Sequence, residues 1–409
     1  MTLNWTKITE DGASIAKTLK YVLKALRVLG VGPLFPQRSE PQTEKETKIS
    51  LTSRQSLYNK LAWIIVHVWV IRLLLRLALV LSGRGKVGEA AVDVLRGWAA
   101  SVAFNRFILY RWRLCHFFWS ADHINDGSDT YGTLPSFTSF YTTGTGIYLL
   151  VRLILDIVNV FTTAGFKNYI EQWFILDSIA GTLPTLVYLV AVPDIVIRRC
   201  VLTGPTSFLV CFYVQVMWVV AFKFKAFDRT LKRDCASSSN IRSDRLRQLR
   251  IRHADICLLV QDLDAIMSPL GFLWHAMVVL GSCAEATHLL QLKPSEDIMA
   301  TVDISLDLTY LGVLFVFVSF SAASVCESYD AAVNEVNFMS ARLSRVDDAE
   351  FTRQALLLVS QMQAANVSVT AWKFYDLNRA ALITTGGAVA TYVVVVIQMA
   401  PSLLRGPAE

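Results

Sequence analysis

Hydrophobic positions along the chain come in long blocks, separated by short polar or charged stretches. Crossing a bilayer's hydrocarbon, about 30 Å, takes about 20 helical residues. Eight stretches come near that length: 61–82, 92–113, 137–162, 172–197, 203–225, 268–291, 301–325 and 379–402. The strongest are 61–82, 203–225, 301–325 and 379–402. Two further stretches show helical spacing but are too polar to be spans. In 242–267, Leu246, Leu249, Ile256, Leu259, Leu263 and Met267 recur on one face. In 351–372, Phe351, Ala355, Leu358, Met362, Ala365, Val369 and Trp372 alternate steps of four and three, a heptad seam that needs a partner helix. That partner comes from this chain or from a neighbouring subunit.

Composition agrees with the blocks. Of 409 residues, 54% are hydrophobic and 18% charged, and mean hydropathy is +0.43. Soluble domains carry about 25% charged residues, so a single soluble globule is excluded, as are disordered and collagen-like classes. The fold class is an all-α polytopic membrane protein.

Charge then orients it. Residues 1–60 hold ten Lys and Arg, and residues 223–252 hold ten more. Both regions belong on the cytoplasmic side, where basic loops are retained. An even number of crossings must separate them, yet five candidates lie between. The reading sets 172–197 aside as re-entrant or loop-embedded; 92–113, with Arg96, Arg106 and Arg111, is the other segment for that role. Three spans follow, giving seven, with the N-terminus cytoplasmic and the C-terminus extracellular. The division is 1–60 cytoplasmic; 61–225 spans one to four; 226–267 a cytoplasmic basic, amphipathic helix; 268–325 spans five and six; 326–378 a cytoplasmic anchor helix; 379–402 the last span. The net charge of +6 reads as loop sorting and gives no reason to expect a nucleic-acid partner.

Enzyme motifs are missing from the sequence. Gly83-Arg-Gly85-Lys-Val-Gly88 fits G-x-G-x-x-G but lies between two membrane segments, without the strand a dinucleotide site needs. No P-loop, HExxH, GxSxG or kinase set occurs. Seven scattered cysteines without a CxxC give no zinc or disulfide framework. His253, Asp255, Cys257, Asp262 and Asp264 read as a solvated face and not a metal site. No catalytic residue, cofactor or metal is expected.

Charges inside spans are costly and therefore informative. Arg152 and Asp156 lie four apart and can pair on one face. Glu285 and His288 end one span; Asp303, Asp307 and Tyr310 begin the next. A short hairpin brings these two groups together, either as a polar, aromatic-rimmed ligand cavity or as interhelical hydrogen bonding. The last span is nearly all aliphatic, with Gln398 its one polar residue near the end. Val395 and Met399 share a face there and are candidates for an apolar gate that closes by dewetting; the alternative is ordinary packing or lipid contact.

Thr391-Tyr392-Val-Val-Val-Val-Ile-Gln398-Met399 resembles the Thr-Tyr, five hydrophobics, Gln-Phe mark of the arthropod (insect-type) gustatory receptor family, related to the insect odorant receptors. Met399 replaces the final Phe. Thr370-Ala371-Trp-Lys-Phe374-Tyr-Asp376-Leu377 and Leu29-Gly30-Val-Gly-Pro33-Leu-Phe35 resemble two further family segments, and Phe224 to Leu231 matches a third loosely. The resemblance implies a ligand-gated, non-selective cation channel in the plasma membrane, with a small-molecule tastant as its partner. It implies a tetramer, homomeric or mixed with related subunits, with a central pore lined by the last helix. The gate would be Val395, Gln398 and Met399. The tastant pocket would lie in the outer half of each subunit. The seam residues Phe351, Leu358, Met362, Val369 and Trp372 fall where the cytoplasmic anchor would be. Val393 stands where sweet-responsive members often have an acidic residue, which gives no support to a sugar ligand. The alternatives are a G-protein-coupled receptor, whose Asp-Arg-Tyr and Asn-Pro-x-x-Tyr marks are missing here, and a transporter.

Overall fold

The computed structural model describes residues 19, 22–25, 53–81, 87–124, 134–161, 184–236, 243–291, 298–343 and 349–404. Nearly all of these are helical. The helices are α1 Ser53–Leu81, α2 Val87–His123, α3 Leu134–Val160, α4 Pro184–Arg198, α5 Gly204–Ala236, α6 Ser243–Gln291, α7 Ile298–Leu343, α8 Ala349–Ala364 and α9 Arg379–Leu404. A two-stranded hairpin, β1 Thr370–Ala371 and β2 Tyr375–Asp376, joins α8 to α9. By length and apolar content, four stretches of the described residues suit a bilayer crossing: Ser139–Val160, Thr206–Asp234, Ser243–Thr287 and Thr301–Phe338.

The 172–197 segment differs from the expectation of a separate re-entrant piece. Its described half, α4, runs without a break through a π-helical turn, Arg199–Thr203, into α5. The helical backbone is therefore continuous from Pro184 to Ala236. Among the described residues, the five N-terminal stretches thus make four helical runs. The π turn has a local cause. Pro205 has no amide to give the turn before it, and the wider turn, closed by Gly204 N–H donating to Arg199 O, absorbs that mismatch. The Gly83–Gly88 string falls mostly outside the described residues.

At the centre of the bundle stands α5. Almost every side chain from Leu209 to Phe227 is buried, as expected of a helix that is apolar all round. Phe212 packs edge-on against Phe107 and Phe118 of α2, with ring centroids 5.4 and 5.9 Å away. Tyr213 packs edge-on against Trp274 of α6 at 5.3 Å. Each such pair contributes about 1 kcal/mol beyond area burial. In contrast, α1 and α3 expose large apolar side chains such as Ile64, Val68, Ile71, Ile147, Leu150 and Ile154. So much exposed apolar area suits lipid rather than water.

Two boundaries differ from the sequence reading. The amphipathic stretch 242–267 and the span 268–291 are one helix, α6, because a single helical register runs through both. Pro269 inside it is tolerated. The heptad seam does not reach Trp372 as a helix, because α8 stops at Ala364. Tyr329 of α7 caps that end, donating to the carbonyls of Met362 and Ala365. Phe351, Ala355, Leu358 and Met362 are buried on α8. Val369 is buried on the way into the hairpin, and Trp372 is 42% exposed at its tip.

The hairpin turns through Trp372 and Lys373, with φ of 49° and 60°. That left-handed conformation favours Gly or Asn and costs these residues about 1–2 kcal/mol each. Tertiary contacts hold it. Trp372 N–H donates to Ser268 O at 2.9 Å, and the Trp372 ring packs on Phe272 of α6. Asp264 accepts from Thr370 N–H at 2.7 Å and from Thr370 Oγ1 at 3.0 Å. Asn378 then caps α9 by accepting from Ala381 N–H at 2.9 Å.

The polar group around residue 253 is only partly a solvated face: Asp255 is exposed and Asp262 half-buried, but His253 and Cys257 are buried. His253 is 1% exposed and Cys257 8%. His253 sits between Phe227 of α5, Tyr329 of α7 and Gln361 of α8. No group of His, Cys, Asp and Glu suited to a metal occurs among the described residues. Burial lowers the His253 pKa to about 4 from 6.5. The unfolded chain takes up a proton between these values and the folded chain does not. Stability is therefore complete above pH 6.5 and falls by about 3 kcal/mol as pH drops toward 4. Acid melts of the wild type against His253→Gln check this, and the variant should lose most of that slope.

Candidate functional site

Near the C-terminus of α6 and the N-terminus of α7, charged side chains from five rods converge. Tyr148, Arg152 and Asp156 lie four apart on the inward face of α3. Asp303, Asp307 and Tyr310 lie at i, i+4 and i+7 on α7 and face them. Arg152 Nη2 donates to Asp307 Oδ2 at 3.0 Å, and Arg152 also contacts Asp303. Tyr148 O–H donates to Asp307 Oδ1 at 2.8 Å. The Tyr148 and Tyr310 rings stack at 3.6 Å and 10°. Arg96 of α2 reaches Glu285 of α6 at 3.4 Å and Asp307 at 3.9 Å.

Asp156 does not take Arg152 as its main partner, as the i, i+4 spacing had implied. That contact is 3.9 Å. Asp156 instead accepts from Arg199 of the π turn, at 2.5 Å from Nε and 2.9 Å from Nη2. Arg198 adds a contact at 3.4 Å. A neighbouring pair, Arg72 to Asp194 at 3.0 Å, ties α1 to α4. Arg152 and Asp307 are only 6% and 8% exposed, so each charge needs the other.

Beside this network lies a cavity of about 60 Å³. One wall is polar and aromatic: Arg96, Tyr148, Arg199, Asp307 and Tyr310, with the hydroxyls of Thr203, Thr206 and Ser207. The rest of the lining is apolar: Val210, Met277, Leu311 and Leu314. Its lining combines hydrogen-bonding groups with apolar surface, the mixture found in small-molecule sites. The charges around it are already paired with one another, so a charged ligand would have to break an ion pair. A neutral one need not.

The structure thus brings six sequence-singled residues together: Arg152, Asp156, Glu285, Asp303, Asp307 and Tyr310. His288 lies on α6, and its side chain is outside the described ones. Sequence reasoning missed Tyr148, Arg96 and Arg199 as members of the cluster. Tyr148 was findable, since it extends the Arg152–Asp156 step of four by one turn. Arg199 gave no signal, because it follows the segment set aside as non-spanning.

The last helix, α9, lies against α6 and α7 through one side. Gly386 faces Phe315 of α7. Tyr392 meets Thr287 of α6, with the two hydroxyl oxygens 3.1 Å apart. At the near end, Arg379 pairs with Glu327 of α7. Leu382, Thr385, Gly386, Val389 and Val393 form its half-buried face. Thr384, Ala388, Thr391, Val395 and Gln398 form the opposite stripe at helical spacing, and all are exposed. Met399 is on this helix, with its side chain outside the described ones.

The sequence profile of the 7tm Chemosensory receptor family matches residues 19–402. The chain is a 7tm chemosensory receptor. Its fold is similar to that of the insect olfactory receptor OR5 from Machilis hrabei, with a TM-score of 0.73 and 15% identity. That match covers 95% of this chain and 100% of OR5. The OR5 structure in complex with eugenol gives a TM-score of 0.69 and 16% identity over the same shares. No match was found among curated protein sequences. Membership of this receptor family gives the charged cluster and the exposed stripe of α9 a shared context: a multi-pass chemoreceptor in a membrane.

Proposed function

We propose that this chemosensory receptor is a ligand-gated, non-selective cation channel of the gustatory type, acting in the plasma membrane as a tetramer of identical or related subunits. The observation that carries this reading is the stripe Thr384, Ala388, Thr391, Val395 and Gln398. It lies on the side of α9 turned away from its own subunit. A polar Gln398 on such a stripe is costly against lipid and at ease against water or a second copy of the helix. Four copies of α9 around one axis would line a pore, with Val395, Gln398 and Met399 as its constriction. With the N-terminus cytoplasmic, the far ends of α6 and α7 are extracellular, and the charged cavity lies in the outer half of the subunit. The buried Phe351, Leu358 and Met362 pack α8 into the anchor within one subunit. Val369 and Trp372 belong to the hairpin that joins the anchor to the pore helix.

The tastant is a small neutral molecule whose hydroxyl or amide meets Asp307, Tyr148 and Arg96 and whose apolar body meets Met277 and Leu314. The eugenol bound to OR5 has this character, a phenol on an apolar body, which makes phenols the first probes. In cells lacking other chemoreceptors, a panel of phenols and neutral aromatic alcohols should evoke inward cation current. That current should persist when G-protein signalling is blocked, and an N-terminal tag should be reachable only after permeabilisation. A response lost under that block, with the tag on the cell surface, would point to a G-protein-coupled receptor. Uptake without unitary current steps would point to a transporter.

A further inference from the structure

The outer end of α6 stands between the ligand cavity and the pore helix. Glu285 points to one side, where Arg96 holds it at 3.4 Å, and Arg96 also reaches Asp307 of the cavity wall at 3.9 Å. Thr287 is two residues on, about 200° around the helix, and faces α9. Its Oγ1 donates to Cys283 O at 2.8 Å, which uses its single hydrogen. The contact with Tyr392, at 3.1 Å, therefore has one direction: the Tyr392 hydroxyl donates and Thr287 Oγ1 accepts. Tyr392 lies three residues before Val395, so this bond meets α9 within one turn of the proposed constriction. Among the described residues, the other polar tie to α9 from a spanning rod is the exposed Arg379–Glu327 pair, at the opposite end of the helix.

We infer that the Tyr392–Thr287 hydrogen bond couples the cavity to the gate, with α6 as the element that both sites bias. The inference rests on the channel reading above. A neutral ligand that hydrogen-bonds to Asp307 and Arg96 leaves their ion pairs in place but shares those groups, and thereby changes the hold that Arg96 has on Glu285. Any shift of α6 that follows is passed to α9 through Thr287. Tyr392 is thus a positioning residue for the pore helix and need not touch ligand or ion. Coupling of this kind is a free energy between sites, and a double-mutant cycle measures it.

The experiment compares the ratio of eugenol-evoked to resting current in the wild type, Tyr392→Phe, Thr287→Val, the double variant and Thr287→Ser. The ratio corrects for the amount of folded protein, so a merely structural role would not move it. A single neutral hydrogen bond contributes a factor of about 2 to 12. Each single variant should lower the ratio by about 5-fold, the double by no more than either single, and Thr287→Ser should keep the wild-type ratio, since it retains the acceptor. An unchanged ratio in both single variants, or fully additive losses in the double, overturns the inference and leaves the channel reading standing. A wild type that conducts under no phenol or aromatic alcohol of the panel overturns both.

Discussion

Asp307→Ala is expected to lower the unfolding free energy of the purified receptor by about 3 kcal/mol and to abolish its ligand response. Asp307 accepts from Tyr148 and Arg152 and lies 3.9 Å from Arg96. Removing it leaves Arg152, 6% exposed, with Asp303 and the more distant Asp156 as its acids. Breaking a buried pair by removing one partner typically costs 3–5 kcal/mol, because the remaining charge stays buried. The lower end applies here, since Asp303 still answers part of the charge. Thermal melts in detergent measure the loss. For contrast, Glu327→Gln breaks an exposed pair with Arg379 and should shift stability by less than about 1 kcal/mol. A melt of Asp307→Ala that matches the wild type would mean that the cluster does not hold α3 to α7.

Val395→Ser combined with Met399→Ser is expected to raise the resting current several-fold. An apolar ring closes a pore because water leaves it and ions cannot follow without their hydration. Hydroxyls in place of the isopropyl and thioether groups let water stay, and the closed state then leaks. In the proposed ring, a thioether in place of the family's Phe would be more flexible than an aromatic side chain. Gln398→Leu in the same assay should act in the opposite sense and reduce the evoked current. No change in leak from the double Ser variant would remove Val395 and Met399 from the gate.

Much of this was legible in the chain itself, for physical reasons that differ from residue to residue. The aliphatic run from Val393 to Ile397 with a lone Gln398 marks a special helix, because a polar amide is costly in lipid. Arg152, Asp303 and Asp307 announce one another, because a charge inside a span must find its opposite. The continuous helix from Pro184 to Ala236 was not legible. Gly204 and Pro205 are poor helix-interior residues, and the π turn just before them carries the helix through. The division at 268 was artificial for the opposite reason: charge composition changes there, while the helical register does not. The end of α8 at Ala364 depends on Tyr329 from another helix, and a seam read from spacing alone runs on past it. His253 and Asp264 read as solvated because they are polar, yet they are committed to packing and to the hairpin.

The most direct measurement on the central claim is a recording from the purified receptor in planar lipid bilayers, with no other protein present. The account predicts discrete unitary currents that eugenol or a related phenol makes more frequent, reversing near zero in mixed sodium and potassium. Silent bilayers, from protein that still binds the same phenol, would contradict it.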